Sequence, residues 1–186
     1  MKTVRLVLII IGFGLGTVLP SGAQTVNAHA SHTVVVEGGL VDVVREVTRP
    51  FLDPVAAGRA GYGPLLGCVS GQQDGAMGLH LVNGALVFDK GALNPRQPEA
   101  LMYEQRGGSL RLLGVEYIVP AADWDAQNPG PPALLGQAFN FVGSPNRFGL
   151  DAFYELHVWA WRENPHGTFT DFNPRVSCDE FTQNPQ

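Results

Sequence analysis

The chain has 186 residues, 16% charged against 45% hydrophobic, with a formal net charge of -5. That length suits one domain with a sizeable core, and the absence of any basic stripe argues against nucleic acid or an anionic membrane surface as a partner.

Taken in order, Met1-Lys-Thr-Val-Arg5, an apolar run over 6–19 and Pro20-Ser-Gly-Ala23 are the three regions of a secretory signal peptide. The run is shorter than the roughly 20 residues of a membrane span, which argues against a retained anchor. Cleavage after Ala23 leaves small residues at both key positions, and Ala28 and Ala30 are alternatives. Segment 1–23 is therefore expected to be removed, 24–37 to be a flexible lead and 38–186 a single secreted or periplasmic domain. A cut after Ala28 would instead make His29 the first residue, and its amine and imidazole with a second histidine would imitate a copper-binding histidine brace.

Leu40, Val43, Val44, Val47 and Phe51 recur at helical spacing and predict an amphipathic helix. Pro50 should end or kink it, and Asp53-Pro54 should cap a second piece that stops at Gly61. Strand patterning begins near Pro64: an apolar run over 65–69, a turn over 71–75, then alternation over 77–83 with His80 and Val82 on one face. Segments 98–105 and 109–119 flank Arg106-Gly-Gly108, a hairpin signal. On the second of these, Leu110, Leu112, Gly114, Glu116 and Ile118 should share a face, opposite Leu113, Val115, Tyr117 and Val119. Residues 121–132 read as loop or a single helical turn, and 134–142 as another strand. In the last strand Tyr154, Leu156, Val158 and Ala160 should point one way and Glu155, His157, Trp159 and Trp161 the other.

A helix followed by mostly antiparallel strands predicts an α+β domain, the helix laid over one face of a curved sheet, cystatin-like or ferredoxin-like. The only two cysteines, Cys68 and Cys178, would form one disulfide in an exported chain. The rival, a redox pair, lacks the Cys-x-x-Cys spacing.

Three ionisable residues interrupt apolar strand faces: His80, Glu116 and His157. Burying such groups is costly unless they are paired, hydrogen-bonded or metal-bound, and the nearest partners are one another. Three readings stand: a structural hydrogen-bonded cluster, the lining of a ligand pocket, or a two-histidine, one-carboxylate metal site. On the last reading the cofactor would be a divalent metal, although the three lie on separated strands without a motif such as His-Glu-x-x-His. Tyr117, Trp159 and Trp161, with Phe139 and Phe141, would line a small-molecule pocket or simply form core. His166, in Asn164-Pro-His-Gly167, should sit in an exposed turn. Asp123-x-Asp125 with Asn128 lacks the glycine a calcium loop needs.

Met77-Gly-Leu-His80, Pro98-Glu-Ala-Leu-Met-Tyr-Glu104, Gly114-Val-Glu-Tyr-Ile-Val-Pro120 and Leu156-His-Val-Trp-Ala-Trp-Arg-Glu-Asn-Pro-His-Gly167 with Asn173-Pro-Arg-Val-Ser-Cys178 resemble a family of uncharacterised exported bacterial proteins. The resemblance covers most of the chain after the signal and implies a bacterial, exported single domain. It carries over no catalytic residue. The functional expectation is an exported binding or accessory domain with an interior polar cluster, with a metal-dependent enzyme as the alternative.

Overall fold

In a computed structural model of the protein, residues 39–181 are described; the expected signal segment and lead, His29 included, lie outside them. The first apolar repeat forms α1 (Leu40–Thr48), whose buried stripe of Leu40, Val44 and Thr48 runs at intervals of four and so keeps to one side. Pro50 has no amide hydrogen to extend the ladder, and the chain tightens into a 3-10 turn, Arg49–Leu52. Asp53 then caps α2 (Pro54–Arg59): its Oδ1 accepts from the Val55 amide at 3.0 Å, and Pro54 sits in the first turn, where a missing N–H costs nothing. No helix among the described residues is long and apolar enough to cross a membrane.

The remaining elements are β1 (Gly63–Ser70), β2 (Ala76–Val82), the one-turn α3 (Gly84–Val87), β3 (Ala100–Arg106), β4 (Ser109–Pro120), α4 (Ala121–Asp125), β5 (Ala133–Leu134), β6 (Gln137–Ala138), β7 (Asn140–Val142) and β8 (Phe153–Val158). Six of the strands form one curled antiparallel sheet in the order β1-β2-β3-β4-β8-β7. The fold is a single mixed α+β domain, as its patterning predicts. Because β1 to β4 are neighbours in both sequence and sheet, the crossovers of a ferredoxin-like arrangement are absent among the described residues. Gly107 and Gly108 hold φ of +58° and +73°, the backbone a two-residue hairpin turn requires to match the twist of β3 and β4. The expected 134–142 strand is divided: β5 and β6 pair only with each other, and β7 alone joins the main sheet, at its edge.

The helices cover one face, where Leu79, Leu101, Tyr103, Val115, Tyr117, Leu156 and Val158 form the larger core. Its tyrosines bury their rings and still satisfy their hydroxyls: Tyr62, Tyr103 and Tyr117 donate to the carbonyls of Pro98, Phe51 and Pro95, each at 2.7 Å. The opposite face carries a smaller core of Ala76, Met102, Leu113, Trp159 and Val176. The C-terminal segment returns over this face. Asn173 exchanges both backbone hydrogen bonds with Ala76, at 3.2 and 3.1 Å, and Cys178 is disulfide-bonded to Cys68, 110 residues earlier.

Simple alternation fails at two places. Met102 opposes Gly114 while Tyr103 opposes Leu112, so Leu113 is an extra residue in β4. The bulge moves Leu110 and Leu112 to the helix side and turns Leu113 to the other, the reverse of the parity reading. Beyond Val158 the chain leaves the strand: the Ala160 and Trp161 amides bond to the carbonyls of Val158 and Leu113, each at 2.9 Å. Trp161 therefore swings to the helix side, where its Nε1 donates to Thr48 Oγ1 at 3.0 Å.

The disulfide closes a long loop and also fastens the segment that covers the second face. Replacing both Cys68 and Cys178 by serine should lower unfolding stability by about 2–5 kcal/mol, read from urea denaturation of the unreduced protein and the double variant. An unchanged midpoint would mean that the segment stays in place without the bridge.

Candidate functional site

The pairing of β4 with β8 sets Glu116 directly opposite His157 and Ile118 opposite Glu155. Gly114 permits this register, because a Cβ there would run into the Val158 carbonyl. His80 comes from β2, on the far side of β3, and the curl of the sheet together with two long side chains spans the intervening strand. Gly78, two residues before it, holds φ of +98°, a backbone that favours glycine.

The three residues converge. His80 Nε2 lies 3.2 Å from Glu116 Oε2, and the His80 and His157 rings meet edge to face at 6.0 Å and 88°. One ligand atom from each of His80, Glu116 and His157 lies within 4.8 Å of the others. His80 and Glu116 are each 6% exposed and His157 is fully buried. The His80 ring also hydrogen-bonds to the Gly78 backbone, which leaves Nε2 as the nitrogen facing Glu116.

Two carboxylates complete the cluster. Asp171 Oδ1 lies 3.5 Å from His157 Nδ1, an ion-pair contact without hydrogen-bond geometry, and also accepts from Asn140 Nδ2 at 3.1 Å. Glu155, buried on β8, hydrogen-bonds to Glu116. Alternation already set Glu155 on the His157 face, but nothing singled it out. Asp171 arrives from a loop that Asn164 braces by donating to Thr170 Oγ1 and the Phe172 carbonyl, each at 2.9 Å. No local pattern announces that return.

The electrostatics follow from burial and crowding. Burial, together with the charge on His157, lowers His80 to about 3 and so keeps it neutral. Burial raises Glu116 to about 8 and raises Glu155 as well. For His157 burial again opposes the charge, but Glu116, Asp171 and Glu155 outweigh it and the imidazole rises to about 9. Asp171 is lowered by the His157 imidazole beside it. Two imidazoles thus face three carboxyls in a buried space, and protons offset the excess negative charge.

Three of the five groups line a small pocket, which His157 and Asp171 do not reach. His80, Glu116 and Glu155 line its base, and the walls include Leu65, Met77, Val82, Ile118 and Phe153. Tyr117 and Trp161 do not join it: Tyr117 follows strand parity onto the helix side, and Trp161 reaches that side through the turn after Val158. Phe139 belongs to the same core, and Phe141 is exposed at the sheet edge against Tyr154, ring centroids 5.3 Å apart. Trp159 does share the His157 face, where it packs in the smaller core and donates to the Thr170 carbonyl at 2.6 Å. His166 sits in the exposed turn, as expected.

Two more buried acids escaped the sequence reading: Glu104, which accepts the Ser177 amide on Oε1 at 3.2 Å, and Glu99. Glu99, 2% exposed, accepts the Ile118 amide on Oε2 at 3.1 Å, and burial raises it to about 8. Comparison with known proteins adds no analogy: no family model, curated protein or solved structure matches this chain.

Glu116→Ala removes the partner of both His80 and Glu155 and should cost on the order of 1–3 kcal/mol, whereas His166→Ala should lie within about 0.5 kcal/mol of the parent. Equal costs in chemical denaturation would contradict the cluster's role. Glu99 supplies a pH signature. The folded state keeps its proton up to about 8, while the unfolded chain releases it near 4.5. Its contribution is therefore intact below the unfolded value and declines as pH rises through that window, by up to about 1.4 kcal/mol per unit. Glu99→Gln should gain on the parent steadily between these limits in urea midpoints taken across pH. A constant difference would show that Glu99 ionises freely in the fold.

Proposed function

We propose that this chain is an exported bacterial binding domain whose working centre is a divalent-metal site held by His80, Glu116 and His157. The observation that carries the reading is His157, whose two ring nitrogens are both buried without a hydrogen-bond partner among the described residues. An unsatisfied buried nitrogen is costly, and metal ligation removes that cost. Two ligands of one ion, each about 2 Å from it, are at most about 4 Å apart. The present spread of up to 4.8 Å closes with sub-ångström side-chain adjustment.

The surroundings fit a metal as well. Asp171 beside His157 Nδ1 and the Gly78 backbone at His80 occupy the positions of outer partners that orient imidazole ligands and raise their basicity. A divalent ion would also offset the surplus of carboxylates. Export is supported by the signal-like first 23 residues and by the disulfide, a bond that persists in oxidising compartments. A second reading, a metal-dependent enzyme, draws on the donor count: three protein ligands leave coordination positions open to water or substrate.

Metal analysis of the purified chain before and after chelation tests the site. About one equivalent of zinc or cobalt should rebind, and His80→Ala and His157→Ala should each abolish it. Metal at a hundredfold excess over its dissociation constant should add about 2.7 kcal/mol of stability to the parent and none to these variants. Stoichiometry well below one, or a chelator effect equal in parent and variants, would overturn the assignment.

A further inference from the structure

The pocket above the cluster is not closed at its outer end. A second cavity of about 350 Å³ adjoins it, lined by Gly61, Pro64, Val87 and Phe88 and sharing Leu65, Val82, Ile118 and Leu150 with the first. The shared walls place the two side by side, one reaching the surface beside α3 and the other lined by His80 and Glu116. Their walls are unusually bare: Phe88 is 76% exposed, Leu65 45%, Leu66 44% and Leu150 37%. Apolar side chains left in water on a concave wall mark a binding groove. No lysine or arginine lines either cavity. The inner pocket is narrow, about 40 Å³, so only a small head reaches the floor.

We propose that the adjoining cavities take a single-chain carboxylic acid, its carboxylate completing the metal's coordination and its alkyl tail lying in the apolar groove between Leu65, Val82, Phe88 and Leu150. This deepens the metal-centre reading and rests on it, because the metal sets the charge of the floor. Without an ion, the floor presents the carboxyls of Glu116 and Glu155 beside two imidazoles and offers an anionic head no surplus positive charge. A bound divalent ion is the largest local charge and supplies it. The narrow floor excludes sugars and nucleotides, whose many polar groups would also meet walls with nothing to hydrogen-bond them.

The test is calorimetric titration of the full chain with decanoate, decanol and decylamine below their micelle concentrations, with metal content measured on the same samples. Metal-loaded protein should bind decanoate at least about tenfold more tightly than decanol or decylamine, and hexanoate at least about tenfold more weakly than decanoate through the loss of buried methylenes. Leu65→Glu, at an exposed position on the edge strand β1, should keep its metal and lose decanoate affinity by about tenfold or more. Leu65→Trp, which fills the groove without charge, should do the same. Metal retained with decanoate no tighter than decanol, or with Leu65 variants indifferent, overturns the ligand assignment and leaves the metal centre standing. Decanoate bound equally by chelated protein, or decylamine preferred, overturns the carboxylate–metal contact. A chain that takes up no metal removes both readings, and the metal measurement alone identifies that case.

Discussion

A fully buried imidazole whose Nε2 has no hydrogen-bond partner among the described residues, and whose Nδ1 has only a 3.5 Å contact to Asp171, is the constraint on which this structure turns. Leaving such a group dry costs about 1–3 kcal/mol, so His157 is kept inside only because its surroundings over-determine its position. The β4–β8 register aims it at Glu116, the close approach at Gly114 allows that register, and the returning C-terminal segment seals the space above. Asn164, Asn173 and the Cys68–Cys178 bridge hold that segment by three different kinds of bond. The sheet thus has two unlike faces: one a conventional apolar core under the helices, the other a polar centre under a strapped loop.

Much of this is legible in the sequence, where local chemistry decides. Pro50 breaks the helix because it lacks an amide hydrogen, Asp53 restarts it as a cap, and Gly107-Gly108 makes the tight hairpin that positive φ permits. His80, Glu116 and His157 could be grouped because each falls in phase with apolar neighbours on its strand. Their convergence follows from strands that stay regular around those positions. Parity failed where the strand itself was irregular. The Leu113 bulge inverts the faces on one side only, and the turn after Val158 sends Trp161 across the sheet. Neither event has a local signature. Asp171 illustrates the remaining gap, since its place beside His157 depends on a loop returning from one edge of the fold.

The arrangement also explains why a polar centre should be placed behind apolar walls. Low local polarity strengthens every charge interaction within it, and it makes five crowded ionisable groups a poor structural cluster on their own. Proton sharing between Glu116 and Glu155, and a charged His157 next to a neutral His80, are what such crowding enforces in a metal-free interior. The same five groups contain two overlapping sets of ligating atoms that share His157, each set within 4.8 Å: His80, Glu116 and His157, which holds both imidazoles, and Glu155, His157 and Asp171.

X-ray absorption at the metal edge of the zinc- or cobalt-loaded chain tests this account most directly, because it reads the ligand atoms themselves. Two nitrogens with imidazole scattering and at least one oxygen, all at about 2.0–2.2 Å, are the result the account requires. A shell of water oxygens alone, or a spectrum unchanged by His157→Ala, would contradict it.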